Sequence, residues 1–154
     1  MQRPATRIEV SVPAQELTLF SDGAAIAKFP ISTSKFGLGS EEDSNRTPLG
    51  AFRIKEKIGG DQELRTIFKS RIPEGCWEPG CVVDEDLVLS RILWLDGVEE
   101  ENANTYDRYI YIHGTNQEEL IGTPASHGCV RMRNHDMLEL YSLVEPETAV
   151  FIDA

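Results

Sequence analysis

The chain has 154 residues, of which 40% are apolar and 27% are charged, and its net charge at pH 7 is −11. This length and composition indicate one folded domain over residues 1–154 with its own core, and exclude a disordered chain. The negative charge argues against nucleic acid and anionic membrane surfaces as partners, because both repel an acidic protein. No apolar run approaches the roughly 18 residues that a transmembrane helix needs, so we predict no membrane span.

The N-terminal segment, residues 1–7, lacks the apolar core of a secretory signal. As written, the sequence predicts a cytoplasmic protein, with the periplasm or the cell wall as the alternative if a leader has been removed. The three cysteines are an odd number, which fits a reducing compartment better than a secreted disulfide framework. The sequence gives no indication of the oligomeric state.

Alternating apolar and polar residues, separated by turn signals, predict strands along most of the chain. The opening strands form a β-meander, and Asp22-Gly23 marks one of its tight turns. The predicted strands span residues 8–12, 17–20, 25–31, 51–55, 87–95, 109–112 and 148–152. Helical spacing over 137–144 predicts a helix with Asn134 or Asp136 as its N-cap. The predicted fold class is therefore mainly β, a single sandwich-like domain with one or two short helices.

Residues 58–86 show no clear periodicity, because glycines and prolines interrupt every possible element. Cys76 and Cys81 in this segment could belong to a lid, an exposed loop or a small disulfide loop. Their spacing does not match Cys-x-x-Cys, so we interpret them as incidental thiols and Trp77 as a packed loop aromatic. Arg91, inside the apolar strand that follows, needs a partner, and we expect an ion pair beneath the functional site.

A thiol, two imidazoles and several glycines gather in segment 109–131, a combination that indicates covalent acyl transfer. A free thiol titrates near about 8.5 and attacks only as its thiolate, so Cys129 as nucleophile needs a neighbouring base or positive charge. The alternative is a buried, inert thiol. His113 and His127 compete for the role of base, and each could instead be a packed histidine. His127 lies about 7 Å from Cys129 along an extended strand and would need a bent backbone, whereas His113 comes from a separate strand end and can be placed freely.

Other residues near Cys129 suit supporting roles. The backbone N–H groups of Gly128 and Cys129 could form an oxyanion hole. Arg131 suits a bidentate grip on a substrate carboxylate, with an ion pair to an acidic neighbour as the alternative. We expect Ser126 to hydrogen-bond within the turn, and Tyr111 either to line the pocket or to pack.

A zinc site is an alternative chemistry, since His113, His127, Cys129 and His135 are possible ligands. Their spacing lacks the Cys-x-x-Cys or His-x-x-x-His pattern, and Arg131 would lie unfavourably beside the ion. We therefore predict no metal and no other cofactor.

The signature Ser126-His127-Gly128-Cys129-Val130-Arg131, with His113-Gly114 on an upstream apolar strand, resembles the active site of the L,D-transpeptidase (YkuD-type) family. Thr47-Pro48-Leu49-Gly50-Ala51-Phe52 resembles the family's Thr-Pro-x-Gly-x-Phe segment, and 8–33 resembles its opening strands. The resemblance implies the family's β-rich catalytic fold, with the Thr47 segment close to the active site. It also implies that His113 is the catalytic base, that the carbonyl of Gly114 orients its ring, and that His127 supports the site and the substrate.

The resemblance further implies an enzyme that acts on peptidoglycan stem peptides. Cys129 would cleave the bond before the terminal D-alanine of a tetrapeptide stem and transfer the acyl group from its thioester to an amine. With water as acceptor, the same chemistry would make an L,D-carboxypeptidase of cytoplasmic muropeptides. A non-catalytic peptidoglycan-binding module is the remaining alternative, and the thiol and His113 argue against it because a binder needs neither.

Overall fold

The computed structural model describes residues 6–154, which form ten strands, one α-helix and two short 3-10 helices. The strands are β1 (Arg7–Ser11), β2 (Glu16–Ser21), β3 (Ala24–Ser32), β4 (Gly50–Ile58), β5 (Thr66–Lys69), β6 (Ile72–Cys76), β7 (Val88–Gly97), β8 (Tyr111–Gly114), β9 (Val130–Met132) and β10 (Ala149–Asp153). The helix α1 spans Asn134–Leu143, and the 3-10 helices span Glu100–Asn102 and Glu118–Leu120. Residues 1–5, most of the segment in which the sequence shows no secretory signal, lie outside the described residues. Within residues 6–154, no helix combines the length and apolar character needed to cross a bilayer.

All ten strands belong to one sheet, in the order β4-β10-β1-β2-β3-β9-β8-β7-β5-β6, and β4 also pairs with β7. This last pairing closes eight strands into a ring and leaves the β5–β6 hairpin outside it. Alternate residues point into the ring, as Ile8 and Val10 do from β1, so that one face of each strand builds the core. The predicted mainly β fold with a short helix is confirmed.

The opening of the chain follows the predicted meander. β2 pairs antiparallel with β1 and with β3. Asp22 and Gly23 both have positive φ, 52° and 80°, in the turn between β2 and β3. Two parallel pairings were not predicted, β1 with β10 and β8 with β9. They join segments far apart in the chain, and β9 is too short to show a strand pattern.

The segment that the sequence left unassigned contains the β5–β6 hairpin. Its turn, Ser70-Arg71, has φ values of 47° and 66° without a glycine, so the usual hairpin signal is missing. Cys76 and Cys81 are exposed free thiols. Trp77 is half-buried, and its indole N–H donates to the carbonyl of Cys81 at 3.0 Å.

Two local predictions were wrong. Asn134 is the first residue of α1 and Arg133 is its N-cap. The carboxylate of Glu118, in the second 3-10 helix, accepts the Asn134 N–H at 2.8 Å and so takes the place of a side-chain cap. Arg91 has no carboxylate within 4 Å in residues 6–154. Instead its Nη1 donates to the carbonyl of Ser90 at 2.6 Å, its guanidinium lies 5.6 Å from the centre of the Tyr141 ring, and burial lowers its pKa.

Candidate active site

The parallel pair β8–β9 places the two expected catalytic residues on neighbouring segments of the sheet. His113 is paired with Arg131, and Cys129 comes immediately before β9, two residues back along the neighbouring strand. The Tyr111 N–H donates to the Cys129 sulfur at 3.3 Å, and the thiol donates to the carbonyl of Tyr109 at 3.4 Å. Cys129 is half-buried and so remains reachable from solvent.

The imidazole of His113 is held in one orientation. Its Nδ1 donates to the carbonyl of Gly114 at 2.6 Å, which leaves Nε2 as the basic nitrogen. The side chain is buried, with 2% exposure, and this burial lowers the pKa of His113 below its ordinary value even though the charge of Asp86 raises it. A neutral imidazole with a free Nε2 is suited to accept a proton.

Position 114 requires a glycine, because neighbouring groups leave no space for a side chain on its Cα. A Cβ at this position would meet Asn134 Oδ1 at 2.4 Å and the carbonyl oxygen of Leu89 at 2.8 Å. The close approach of these two groups fixes the peptide whose carbonyl orients His113. The expected orienting carbonyl is therefore held by packing against β7 and α1.

The Cys129 thiol has a raised pKa. Burial raises its pKa to about 12, against smaller effects of the Tyr111 N–H and of the Arg108 and Arg131 charges, which lower it. Asp86 adds a negative charge that also raises it. A nucleophilic role for this sulfur would therefore need a base that takes the thiol proton.

Asp86 is a site residue that the sequence reasoning missed. Its Oδ1 accepts a hydrogen bond from Arg131 Nη1 at 3.0 Å, and its Oδ2 lies 3.4 Å from His127 Nδ1. Burial opposes ionisation, but the His113 and Arg131 charges and the hydrogen bonds from Arg131 and His127 lower the pKa of Asp86. In the sequence, Asp86 ends an acidic run before a strand, a pattern that usually indicates a solvated loop. We call Asp86, His113, Cys129 and Arg131 the site floor.

Arg131 is fully buried, with 0% exposure, and forms an ion pair with Asp86. Its Nη1 also donates to Gln117 Oε1 at 2.6 Å, while Nε and Nη2 are buried without a partner in the described part of the chain. The alternative of an ion pair with an acidic neighbour is confirmed. A grip on a substrate carboxylate stays a prediction.

The turn before Cys129 is closed by hydroxyl groups. Ser126 Oγ donates to the carbonyl of Cys129 at 2.7 Å and accepts the Gly128 N–H at 3.3 Å, as expected for a residue that stabilises the turn. Thr47 Oγ1 donates to the carbonyl of Gly128 at 2.9 Å, so the Thr47 segment does lie beside the site. Because the Gly128 N–H already has a partner, an oxyanion hole built from it requires that Ser126 release it, and that role stays a prediction.

His127 and Tyr111 flank the site in different ways. The His127 side chain is half exposed, and its ring centre lies 5.7 Å from that of Phe36. Tyr111 is buried, and its ring meets those of Trp94 and His113 edge-on at 5.5 and 6.5 Å. Tyr111 therefore packs beside His113, as one of the two alternatives predicted, and a role in lining the substrate pocket stays a prediction.

A cavity of about 360 Å³ has Tyr109 and His127 in its wall. The carbonyl of Tyr109 accepts the hydrogen bond from the Cys129 thiol, which relates the cavity to the site. Three carboxylates line the cavity, those of Glu42, Asp43 and Asp107, together with the single guanidinium of Arg108. That guanidinium already donates to the carbonyls of Gly39 and Arg46 and to the hydroxyl of Ser44. The cavity is therefore predominantly acidic. Across residues 6–154, no group of three or more His, Cys, Asp or Glu side chains is placed to hold a metal ion.

Comparison with known proteins gives one consistent result. The family model for the L,D-transpeptidase catalytic domain matches residues 5–152. The chain is 29% identical to YkuD of Bacillus subtilis over 146 residues, which cover 95% of this chain and 65% of that protein. An L,D-transpeptidase from Mycobacterium smegmatis aligns with a TM-score of 0.64 and 19% identity over 97% of this chain and 59% of its own. The catalytic domain of the Enterococcus faecium L,D-transpeptidase aligns with a TM-score of 0.61 and 20% identity over 99% of this chain and 100% of its own. The chain thus spans less than two thirds of the first two proteins and the whole of the isolated domain.

Proposed function

This chain belongs to the L,D-transpeptidase catalytic-domain family, and we propose that it is a cysteine acyl-transferase acting on peptidoglycan stem peptides. The observation that carries the proposal is the hydrogen bond from His113 Nδ1 to the Gly114 carbonyl on the strand beside Cys129. It leaves Nε2 as the basic nitrogen on the strand beside Cys129, whose thiol has a pKa that burial raises. A purely structural cysteine would need no such base.

In the first step, His113 Nε2 takes the proton from Cys129 as the sulfur attacks the carbonyl carbon of the third residue of a tetrapeptide stem. The carbonyl oxygen becomes an oxyanion, which the backbone N–H groups of Gly128 and Cys129 would stabilise. The intermediate collapses when the C–N bond to the terminal D-alanine breaks. His113 returns its proton to the leaving amine, and the acyl group remains on sulfur as a thioester.

In the second step, an acceptor resolves the thioester. A primary amine loses a proton to His113 and attacks the thioester carbonyl, and the Cys129 thiolate leaves and is reprotonated. The product is an amide, which links two stems. If water attacks instead, the product is a free tripeptide stem.

The acidic cavity favours an amine over water as acceptor. Its lining carboxylates, Glu42, Asp43 and Asp107, attract a cationic amine and raise its local concentration. Arg108 does not offset this attraction fully, because its donors are engaged with backbone and hydroxyl oxygens. Amine transfer is therefore the first function proposed, and hydrolysis is the second.

Mass spectrometry of the protein incubated with a disaccharide-tetrapeptide, with and without an amine acceptor, tests this function. We expect loss of D-alanine, a transient acyl adduct on Cys129, and an amide product when the amine is present. Cys129→Ala should abolish all three, whereas Cys76→Ser should retain them because that thiol is exposed and far along the chain from the site floor.

The products separate the alternatives. Tripeptide alone, even at high amine concentration, would identify an L,D-carboxypeptidase. An unmodified stem with measurable binding would support a peptidoglycan-binding module. If Asp43→Asn with Asp107→Asn leaves the ratio of amide to tripeptide unchanged, the acidic cavity is not the acceptor side.

A further inference from the structure

Arg71 occupies an unusual place at the tip of the β5–β6 hairpin. It is the second residue of the Ser70-Arg71 turn and has a φ of 66°. A side chain other than Gly, Asn or Asp is strained in this left-handed region, and such strain often marks a residue held for function. The turn therefore holds an arginine where a glycine would form the hairpin more easily.

The guanidinium of Arg71 lies on an aromatic surface. Its central carbon is 4.7 Å from the centre of the Trp94 ring and 5.3 Å from that of Tyr109. Its Nη1 donates to the Tyr111 hydroxyl at 3.1 Å. These contacts hold the cation in place but do not neutralise it, because the phenol remains uncharged: burial raises the pKa of Tyr111.

Tyr111 connects Arg71 to the proposed nucleophile, Cys129. The backbone N–H of Tyr111 donates to the Cys129 sulfur, and its hydroxyl accepts from Arg71. Cys129 also packs against the apolar cluster that contains Tyr111 and Trp94. A peptide whose carbonyl lies at the sulfur can therefore place a neighbouring group at Arg71.

Three arginines surround the site, and Arg71 differs from the other two. Arg131 is sealed from solvent and paired with Asp86. Arg108 donates to three oxygens of the loop that follows β3. Within residues 6–154, the guanidinium of Arg71 has no carboxylate within 4 Å, although the chain carries a net charge of −11. It retains donors for a ligand.

We propose that Arg71 binds a carboxylate of the donor stem peptide and so selects the acyl donor. This inference rests on the proposed function. The carboxylate has two possible sources, the terminal carboxylate of D-alanine or the side-chain carboxylate of a diamino acid at the third position. In both cases the planar guanidinium forms charge-assisted hydrogen bonds, with Trp94 and Tyr109 beneath it.

Calorimetric binding to the Cys129→Ala protein tests the proposal with three ligands. They are the free-acid disaccharide-tetrapeptide, its C-terminal amide, and the stem with an amidated side-chain carboxylate. One charge-assisted hydrogen-bonded contact corresponds to about a tenfold tighter Kd or more for the free acid. The amidated ligand that binds about tenfold more weakly than the free acid identifies which carboxylate Arg71 binds.

Adding Arg71→Gln to this protein should abolish the preference for the free acid, and Arg71→Lys should restore part of it. Lys69→Gln is the matched control, since it removes an exposed positive charge from the same hairpin outside the aromatic surface and should keep the preference. Equal melting temperatures of the variants would show that the hairpin is intact.

Two results would overturn the assignment of Arg71 alone: equal binding of the acid and both amides, or a preference that survives in Arg71→Gln. In the catalytically intact protein, an unchanged ratio of acid to amide turnover in Arg71→Gln would do the same while leaving the proposed function standing. No binding of any stem peptide, together with no D-alanine release, would overturn both.

Discussion

The site floor and the β5–β6 hairpin are built in opposite ways. The floor residues are buried or half-buried and joined by an ion pair and directed hydrogen bonds, notably Asp86–Arg131 and His113–Gly114. In the hairpin, every residue of β6 is exposed, and Arg71 contacts the domain through one hydrogen bond and aromatic faces. Burial fixes the geometry that the proposed proton transfer needs. The exposed β5–β6 hairpin instead leaves N–H donors of Arg71 available to a ligand.

Removing the proposed base, His113, should lower activity more than any other change to the site floor, because it removes the group that accepts the thiol proton. His113→Asn keeps an amide that can donate to the Gly114 carbonyl but has no group that accepts the thiol proton. We expect D-alanine release to fall by about 10²–10⁴-fold with little change in KM. A variant within tenfold of the native rate would contradict the assignment of His113 as base.

Asp86→Asn should destabilise the floor, because it leaves the fully buried Arg131 without its counter-ion. We expect the free energy of unfolding at pH 7, from urea denaturation, to fall by about 3 kcal/mol. Asp84→Asn, which removes an exposed charge from the same run, should change it by less than about 0.5 kcal/mol. Similar losses in the two variants would refute a structural role for the ion pair.

The contribution of Asp86 should also depend on pH with a defined sign. The pKa of Asp86 is lowered in the folded state, so its stabilisation is complete above the unfolded value of about 3.9 and is lost as the pH falls through the lower folded value. The stability gap between the native protein and Asp86→Asn should therefore close only in acid, and a gap that closes between neutral pH and about pH 5 would argue against this ion pair.

Gly114→Ala should have an intermediate effect. The added methyl group would meet Asn134 Oδ1 and the carbonyl of Leu89 within van der Waals distance, and overpacking of this kind costs about 1–3 kcal/mol. Since the displaced peptide orients His113, we expect kcat to fall more than KM rises. Thermal unfolding and steady-state kinetics together test this, and native values in both would show that the close packing is not needed.

On the acid side of the pH profile, activity should be lost at a lower pH than the ordinary pKa of a histidine. Catalysis needs neutral His113, and burial lowers the pKa of His113 below 6.5, so kcat/KM should reach half its plateau below pH 6.5. Asp86→Asn should shift this midpoint further down, because the Asp86 charge raises the pKa of His113. A midpoint above pH 6.5 would be inconsistent with a buried base.

The exposed thiols of Cys76, at the end of β6, and of Cys81, in the loop that follows, should have the smallest effect. Cys76→Ser with Cys81→Ser should leave turnover unchanged, because neither thiol contacts the site floor. Alkylation with iodoacetamide should still inactivate this variant, and protection by a bound stem peptide should map to Cys129. Loss of activity in the double variant would show that the loop after β6 contributes more than its exposure indicates.

The sequence by itself determined the mainly β fold and the opening meander, and it predicted Cys129 and His113 as nucleophile and base. Local patterns carry these features: alternation indicates which side of a strand is buried, and a thiol that follows a glycine and lies near two histidines has few structural uses. The preference for His113 over His127 assumed an extended chain between His127 and Cys129. The structure has a bend there instead, with Gly128 at a φ of 121°, so that assumption was wrong.

Only the tertiary structure decided which groups surround that pair. Asp86 lies 45 residues from Arg131 in the chain, and nothing local distinguishes it from a solvated acid. The parallel β8–β9 pairing, the Ser70-Arg71 turn and the capping of α1 by Glu118 likewise depend on contacts between distant segments. Sequence patterns record the preferences of neighbouring residues, whereas ion pairs and close packing of the backbone arise when the closed sheet brings remote segments together.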